Sequence, residues 1–214
     1  LAARIAQTIT EFDPEWAGRF SVVNLDALRL EPGDSVGEPM ALVANLPYNV
    51  SVPVLLHVLE HFPSIRRVVV MVQKEVAERL AAAPGSRVYG APSVKLAWYG
   101  DARLAGTIGR KVFWPEPNVD SALVAVDVTE PVRGSDALRS ATFALVDAAF
   151  GQRRKMLRAS LRALLGEGSA AAVFEAAGVS PEARPEDLGV DEFEALAKAW
   201  LALRADSVGP DLID

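Results

Sequence analysis

The chain has 214 residues, half of them hydrophobic, which is enough for a sizeable core in one large domain or a domain with a smaller companion. It has no cysteine, which excludes disulfides, thiolate metal sites and a cysteine nucleophile. The net charge of −6 disfavours nucleic acid as a partner only if the cations are dispersed, and they are not.

Residues 1–12 read as a helix, with Leu1, Ile5 and Ile9 as an apolar stripe. No capping residue precedes that stripe, so the natural protein is expected to extend further toward its N-terminus. Residues 20–25 are a short β-rich run followed by Asp26, and residues 31–39 are a loop rich in Pro, Gly and acid. The apolar run 41–44 stops abruptly at Asn45-Leu46-Pro47-Tyr48 and suits a buried parallel strand. Residues 54–61 read as a helix closed by Pro63, 67–72 as a buried strand, and 74–83 as a helix ended by Pro84-Gly85. Residues 94–99, 102–108 and 122–128 read as strands. Alternation followed by consecutive strands predicts a mostly parallel, helix-covered sheet with an antiparallel edge.

After Pro131 the character changes. Residues 136–150, 152–165, 169–177 and 191–204 read as helices, and the tail from Asp206 is expected to be disordered. Two domains are expected, 1–130 and 131–214. The stretch 152–165 holds Arg153, Arg154, Lys155, Arg158 and Arg162 without an acid, while Met156, Leu157 and Leu161 supply a packing face. In an acidic chain this clustering points to phosphate, with Arg153, Arg154, Lys155 and Arg158 as RNA contacts. No apolar run reaches the roughly 20 residues needed to cross a bilayer. No cationic-then-apolar leader precedes the first helix. A cytoplasmic monomer without a membrane partner is expected.

Asn45-Leu46-Pro47-Tyr48 carries the chemistry. Ligands of open α/β sheets bind beyond the C-terminal ends of the strands, where this turn lies. The exocyclic amine of adenine is a poor nucleophile because its lone pair is delocalised into the ring. Two acceptors on its N–H bonds would hold it and favour the pyramidal nitrogen of a methyl-transfer transition state. The Asn45 side-chain oxygen can be one acceptor. The Leu46 carbonyl can be the other, because Pro47 keeps the chain extended there. Tyr48 offers a stacking face worth about 1–3 kcal/mol. The process is positioning and electrostatics, with no metal. Pro115 and Pro117 stiffen a second segment, in which Phe113 is read as a presented aromatic and Trp114 as packing. His57 and Glu60-His61 match an inverted zinc-protease spacing, but no third ligand follows, so no metal site is expected.

Several segments in this order resemble the small-subunit ribosomal RNA adenine N6,N6-dimethyltransferase family. They are residues 45–51 from Asn45 to Ser51, 73–80 from Gln73 to Leu80, Pro84-Gly85-Ser86 with Tyr89-Gly90 and Ser93-Val94, 113–121 from Phe113 to Ser121, and 150–155 from Phe150 to Lys155. The resemblance spans about residues 20–161. It implies an α/β fold, a Rossmann-like class I methyltransferase sheet, here N-terminally truncated, followed by a small all-helical domain. It implies S-adenosylmethionine as cofactor and the precursor small subunit with its 16S rRNA as partner. The reaction implied is dimethylation of two adjacent adenosines near the 3′ end of that RNA. By the same resemblance, Asn45, Leu46, Pro47 and Tyr48 are catalytic, and Tyr48 and Phe113 stack on the target base. Asp26, beyond an earlier strand, and Asn45 contact the cofactor. The family's glycine-rich cofactor loop should precede Asp26, yet residues 1–25 hold a single glycine, Gly18. As written, the chain is expected to bind cofactor poorly. Two other functions remain open. One is a large-subunit rRNA methyltransferase of the antibiotic-resistance type, against which Tyr89-Gly90 and Asp120-Ser121 weigh. The other is a non-catalytic ribosome-assembly or RNA-binding factor.

Overall fold

A computed structural model describes residues 2–34 and 37–207. The elements in chain order are α1 (Ala2–Phe12), β1 (Ala41–Asn45), α2 (Ser51–His61), β2 (Arg67–Gln73), α3 (Lys74–Leu80), α4 (Ala91–Ala97), β3 (Gly100–Ile108) and β4 (Ser121–Val128). Helices α5 (Asp136–Phe150), α6 (Leu157–Ser160), α7 (Arg162–Leu165), α8 (Ala170–Ala177) and α9 (Val190–Ser207) complete the chain. The strands form one sheet in the order β1-β2-β4-β3. β1 and β2 are parallel, with Ala41 opposite Arg67 and Asn45 opposite Met71. β4 inserts antiparallel between β2 and β3. The parallel pair needs a crossover, and α2 supplies it.

β2 is a run of β-branched residues and alternates by face. Val68, Val70 and Val72 are buried against Val54, Leu55, Val58 and Leu59 of α2 and against Val124 and Val126 of β4. Each such side chain contributes about 1.5–3 kcal/mol on burial. The run 41–44, expected to be a buried strand, is parallel but lies at the sheet's edge, with Val43 79% exposed.

Three expected elements differ. Residues 94–99 are not a strand. Val94, Lys95, Leu96 and Ala97 belong to α4, where Ser93 Oγ accepts the Gly90 N–H at 3.0 Å and Pro92 sits in the first turn. Capping and the first-turn proline therefore prevail over an ambiguous apolar alternation. Residues 20–25 form no strand; Phe20, Val22, Val23 and Leu25 are exposed and unpaired with the sheet. The stretch 152–165 is not one helix. The Leu157 and Arg158 N–H groups donate to the Ala183 and Pro181 carbonyls, both at 2.9 Å, and this interrupts the helical ladder. What remains is a turn followed by the short α6 and α7. α9 extends through Asp206 to Ser207, and the rest of the tail expected to be disordered lies outside the described residues, as does Leu1.

A second cluster joins Leu145, Val146, Leu157, Leu161, Phe193, Leu196 and Trp200 of the helices to Tyr89 and Val94. Leu138 and Val190 pack against both clusters. Tyr89 Oη donates to the Leu188 carbonyl at 2.9 Å. Burial, helped by the Glu192 carboxylate, pushes this phenol up to about 12, so it remains a donor at neutral pH. Arg133 holds Glu194 at 2.6 Å, and Arg139 reaches Glu60 of α2 at 2.6 Å. The helical part is thus fastened to the sheet's helix layer by apolar contact, one buried hydrogen bond and ion pairs. Among the described residues no helix is long and apolar enough to cross a membrane.

Candidate active site

The site is built where β1 stops. The Leu46 N–H donates to the Met71 carbonyl at 3.1 Å, one ladder bond beyond Asn45. Pro47 has no N–H to continue the ladder. The chain then turns, with Val50 N–H donating to the Pro47 carbonyl at 3.2 Å and Ser51 Oγ to the Tyr48 carbonyl at 3.3 Å, and α2 begins. The Leu46 side chain is buried in the core and anchors the turn, whereas Asn45 is exposed. Among the described residues, none hydrogen-bonds the Asn45 side chain or the Leu46 carbonyl. Two acceptors therefore stand unengaged on adjacent residues.

The facing wall is the connection between β3 and β4. Arg110 pairs with Glu116 at 3.0 Å, its N–H donates to Asp120 Oδ1 at 3.1 Å, and Phe113 N–H donates to the Arg110 carbonyl at 3.2 Å. The cleft between the walls has a volume of about 410 Å³ and is lined by Asn45, Leu46, Pro47, Tyr48, Phe113, Trp114, Pro115 and Pro117. The sequence-predicted catalytic residues and Phe113 thus meet in one place. Phe113 is half-buried, while Trp114, expected to be packing, is 97% exposed. Phe113 has extended backbone angles (φ −104°, ψ 149°), which send consecutive side chains to opposite sides. Both rings line the cleft, Phe113 half-buried and Trp114 in water.

Ser121, read from the sequence only as the end of the 113–121 segment and with Asp120 as a mark against the large-subunit type, gains a contact with the predicted site. Ser121, fully buried at the start of β4, shares a 2.7 Å hydrogen bond with Tyr48 Oη. It ties the turn after β1 to the strand that follows the aromatic loop, so it sets the spacing of the walls. The sequence marked its segment but not its hydrogen bond to Tyr48. Tyr48→Phe and Ser121→Ala should each lower target-base stacking by several-fold and stability by about 1 kcal/mol. The double variant should be little worse than the harsher single one. Fluorescence of 2-aminopurine at the target position and urea melts would check this; fully additive losses would separate the two residues.

Asp26 does not follow a strand. It caps the short turn Ala27–Arg29, with Oδ1 accepting the Leu28 N–H at 3.0 Å, and this turn packs on α2. The other carboxylate oxygen has no partner among the described residues. A carboxylate acceptor of this kind suits an adenine amine, and the Asn45 carboxamide suits the reacting end of a methyl donor. Among the described residues no glycine-rich turn follows a strand. Asp26 is not among the residues that line the cleft with Asn45, so the two predicted cofactor residues are not brought into one pocket, and among the described residues no glycine-rich cradle joins them.

The basic stretch is divided. Arg153 is half-buried, donating to Glu186 at 3.2 Å and to the Arg87 carbonyl at 3.0 Å. Arg158 lies 3.9 Å from Glu182, and Arg162 pairs with Glu167. Arg154 and Lys155 are exposed and have no acidic partner among the described residues. His57 fastens the segment before β1 to α2, while the His61 bond stays within α2. His57 Nε2 donates to the Leu30 carbonyl at 2.9 Å, and His61 Nδ1 donates to the His57 carbonyl at 2.9 Å. Among the described residues no group of three ligands could hold a metal ion.

A sheet of this topology, with its cleft at a strand's C-terminal end, belongs to the class I methyltransferase type. Two solved structures share the fold. A dimethyladenosine transferase from Plasmodium falciparum matches with TM-score 0.69 and 22% identity, covering 89% of this chain and 77% of that one. The 23S rRNA methyltransferase ErmE matches with TM-score 0.63 and 22% identity, covering 92% of this chain and 78% of that one. The family model "Ribosomal RNA adenine dimethylase" matches residues 3–201. "Ribosomal RNA small subunit methyltransferase A" of Leifsonia xyli is 58% identical over 200 residues, 92% of this chain and 70% of that protein. The protein of the same description from Streptomyces griseus is 57% identical over 202 residues, covering 92% and 68%. The chain belongs to the ribosomal RNA adenine dimethylase family, a family of S-adenosylmethionine-dependent methyltransferases.

Proposed function

We propose that this chain methylates the N6 amine of two adjacent adenosines near the 3′ end of 16S rRNA during maturation of the small subunit, acting as a monomer. The observation that carries the reading is the pair of unengaged acceptors, Asn45 Oδ1 and the Leu46 carbonyl, in a cleft walled by Tyr48 and Phe113. The acceptors hold the two N–H bonds of the amine and orient its nitrogen outward from the ring plane. Tyr48 and Phe113 hold the unstacked base by its faces, since a base inside a duplex cannot enter the cleft. S-adenosylmethionine, when bound, supplies an activated methyl on a sulfonium. Asp26 and Asn45 are its contacts on this chain.

In this reading residues 1–130 carry the transfer and 131–214 grip the RNA. Arg154 and Lys155, exposed and without an acidic partner among the described residues, are the phosphate contacts of largest weight. Arg158 contributes less because of Glu182, and Arg153 contributes chiefly to folding. Replacing both Arg154 and Lys155 by alanine should weaken RNA binding uniformly across sequences. The slope of log affinity against log salt should become shallower by about 1.4–1.8. Arg153→Ala should instead lower the thermal midpoint. Filter binding at several salt concentrations, beside thermal melts, separates the two; equal effects of both changes on the slope would reject the division.

The activity itself is tested by methyl incorporation from radiolabelled S-adenosylmethionine into small-subunit particles that lack adenine dimethylation. The Leifsonia relative, run in parallel, establishes that the particles are competent. Label on adenine with this chain supports the proposal. No label, from a folded chain shown by equilibrium dialysis to bind S-adenosylmethionine and by filter binding to hold the particles, overturns the catalytic reading and leaves an assembly or RNA-binding factor.

A further inference from the structure

We infer that Trp114 is a stacking platform for the nucleotide adjacent to the one in the cleft, a second base subsite outside the Asn45–Tyr48 turn. The inference rests on the adenine-methylation reading above and extends it to the neighbouring base. Trp114 lines the cleft yet is 97% exposed. Large aromatic side chains are ordinarily covered in part. Trp98 and Trp200 are buried, and Trp16 is 56% exposed. The indole at the cleft is thus the most exposed of the four.

Its loop is also held in place. Pro115 and Pro117 restrict the backbone, Arg110 pairs with Glu116 at 3.0 Å, and Asp120 accepts the Arg110 N–H at 3.1 Å. A flat apolar face on a stiff loop loses little freedom on binding a flat partner. Both rings line the cleft, and the extended backbone at Phe113 sends them to different sides of the chain, Phe113 half-buried and Trp114 in water. Two neighbouring bases splayed from the stack could each meet one ring. Lys111, three residues before Trp114, is exposed and has no acidic partner among the described residues, so a cation is close at hand for the connecting phosphate. A neighbour held there would wait outside the cleft while the first base reacts.

The test uses the whole chain and two fluorescein-labelled RNA hairpins. One loop carries two adjacent adenosines between abasic residues; the other carries a single adenosine between abasic residues. Affinity is read by anisotropy, and stacking by quenching of tryptophan emission. Wild-type protein should bind the two-adenosine loop about tenfold more tightly than the single one, with quenching. Trp114→Ala should lose that tenfold preference and the quenching. Trp114→Phe should keep the preference within about threefold, because a smaller aromatic face remains. Thermal melts should be unchanged in both variants, since the indole packs against nothing that folding needs. A Trp114→Ala variant that keeps the wild-type preference overturns the inference alone. If wild-type protein binds neither loop, the RNA-adenine reading fails and this subsite fails with it.

Discussion

Asn45→Ala is expected to lower methyl transfer on the order of 10²- to 10³-fold while leaving RNA affinity within about threefold. The magnitude is that of removing one fixed polar contact from a transition state that depends on positioning. The selectivity comes from the structure. The Asn45 side chain is exposed and engages no described residue, so its loss opens no cavity and leaves no buried group unsatisfied. The turn is held by other contacts, namely the Leu46 N–H on Met71, the buried Leu46 side chain and the Ser51 bond to the Tyr48 carbonyl. In the proposed reading the base keeps its two aromatic faces, Tyr48 and Phe113, which carry ground-state binding. What is lost is one acceptor that orients the amine. Single-turnover transfer on saturated particles, beside filter binding, would measure both quantities. Lost RNA binding with unchanged transfer per bound complex would show that Asn45 holds RNA and not the reacting amine.

The Asn45–Tyr48 turn was legible because its signals are local: an apolar run, an abrupt polar stop, and a proline that ends the ladder. The alternation of 41–73 was legible for the same reason, but the sheet expected to be mostly parallel has one parallel and two antiparallel pairings among the described strands, because β4 inserts between β2 and β3. What the sequence hid depends on partners distant in the chain. β1 reads like β2, yet β1 is an edge strand because nothing in the described chain pairs beyond it. The break in 152–165 depends on the Pro181 and Ala183 carbonyls, which replace the helical partners of Arg158 and Leu157. The apparent acid-free patch acquires Glu186, Glu182 and Glu167 from outside its own stretch. Ser121 becomes a site residue only because the fold brings Tyr48, 73 positions away in sequence, to its hydroxyl. Residues 94–99 were misread for a different reason. Val94, Leu96 and Trp98 alternate like a strand, and a short apolar run cannot be told from a buried helix by period alone.

Gly100→Ala should destabilise the protein by about 3 kcal/mol, whereas Gly106→Ala in the same strand should cost less than about 1 kcal/mol. A Cβ at Gly100 would lie 2.2 Å from the Asp127 carbonyl oxygen and 2.8 Å from the Val128 Cα. Both are backbone atoms of the neighbouring strand, so no side chain can move aside. Gly106 follows the register shift after Leu104, and an added Cβ there would meet nothing closer than a Leu123 methyl at 3.9 Å. At that position alanine also reduces the freedom of the unfolded chain, which offsets part of any cost. Urea melts of both variants would measure the contrast, and equal losses would mean that the close approach at Gly100 is absent in solution. The strain is also local. Gly100 pairs with Val128, at the end of the ladder opposite Ile108 and Ser121, and Ser121 is held on its other side by Gln73 of β2. In the molecules that remain folded, the Tyr48–Ser121 bond and 2-aminopurine stacking should therefore be unchanged in Gly100→Ala as in Gly106→Ala.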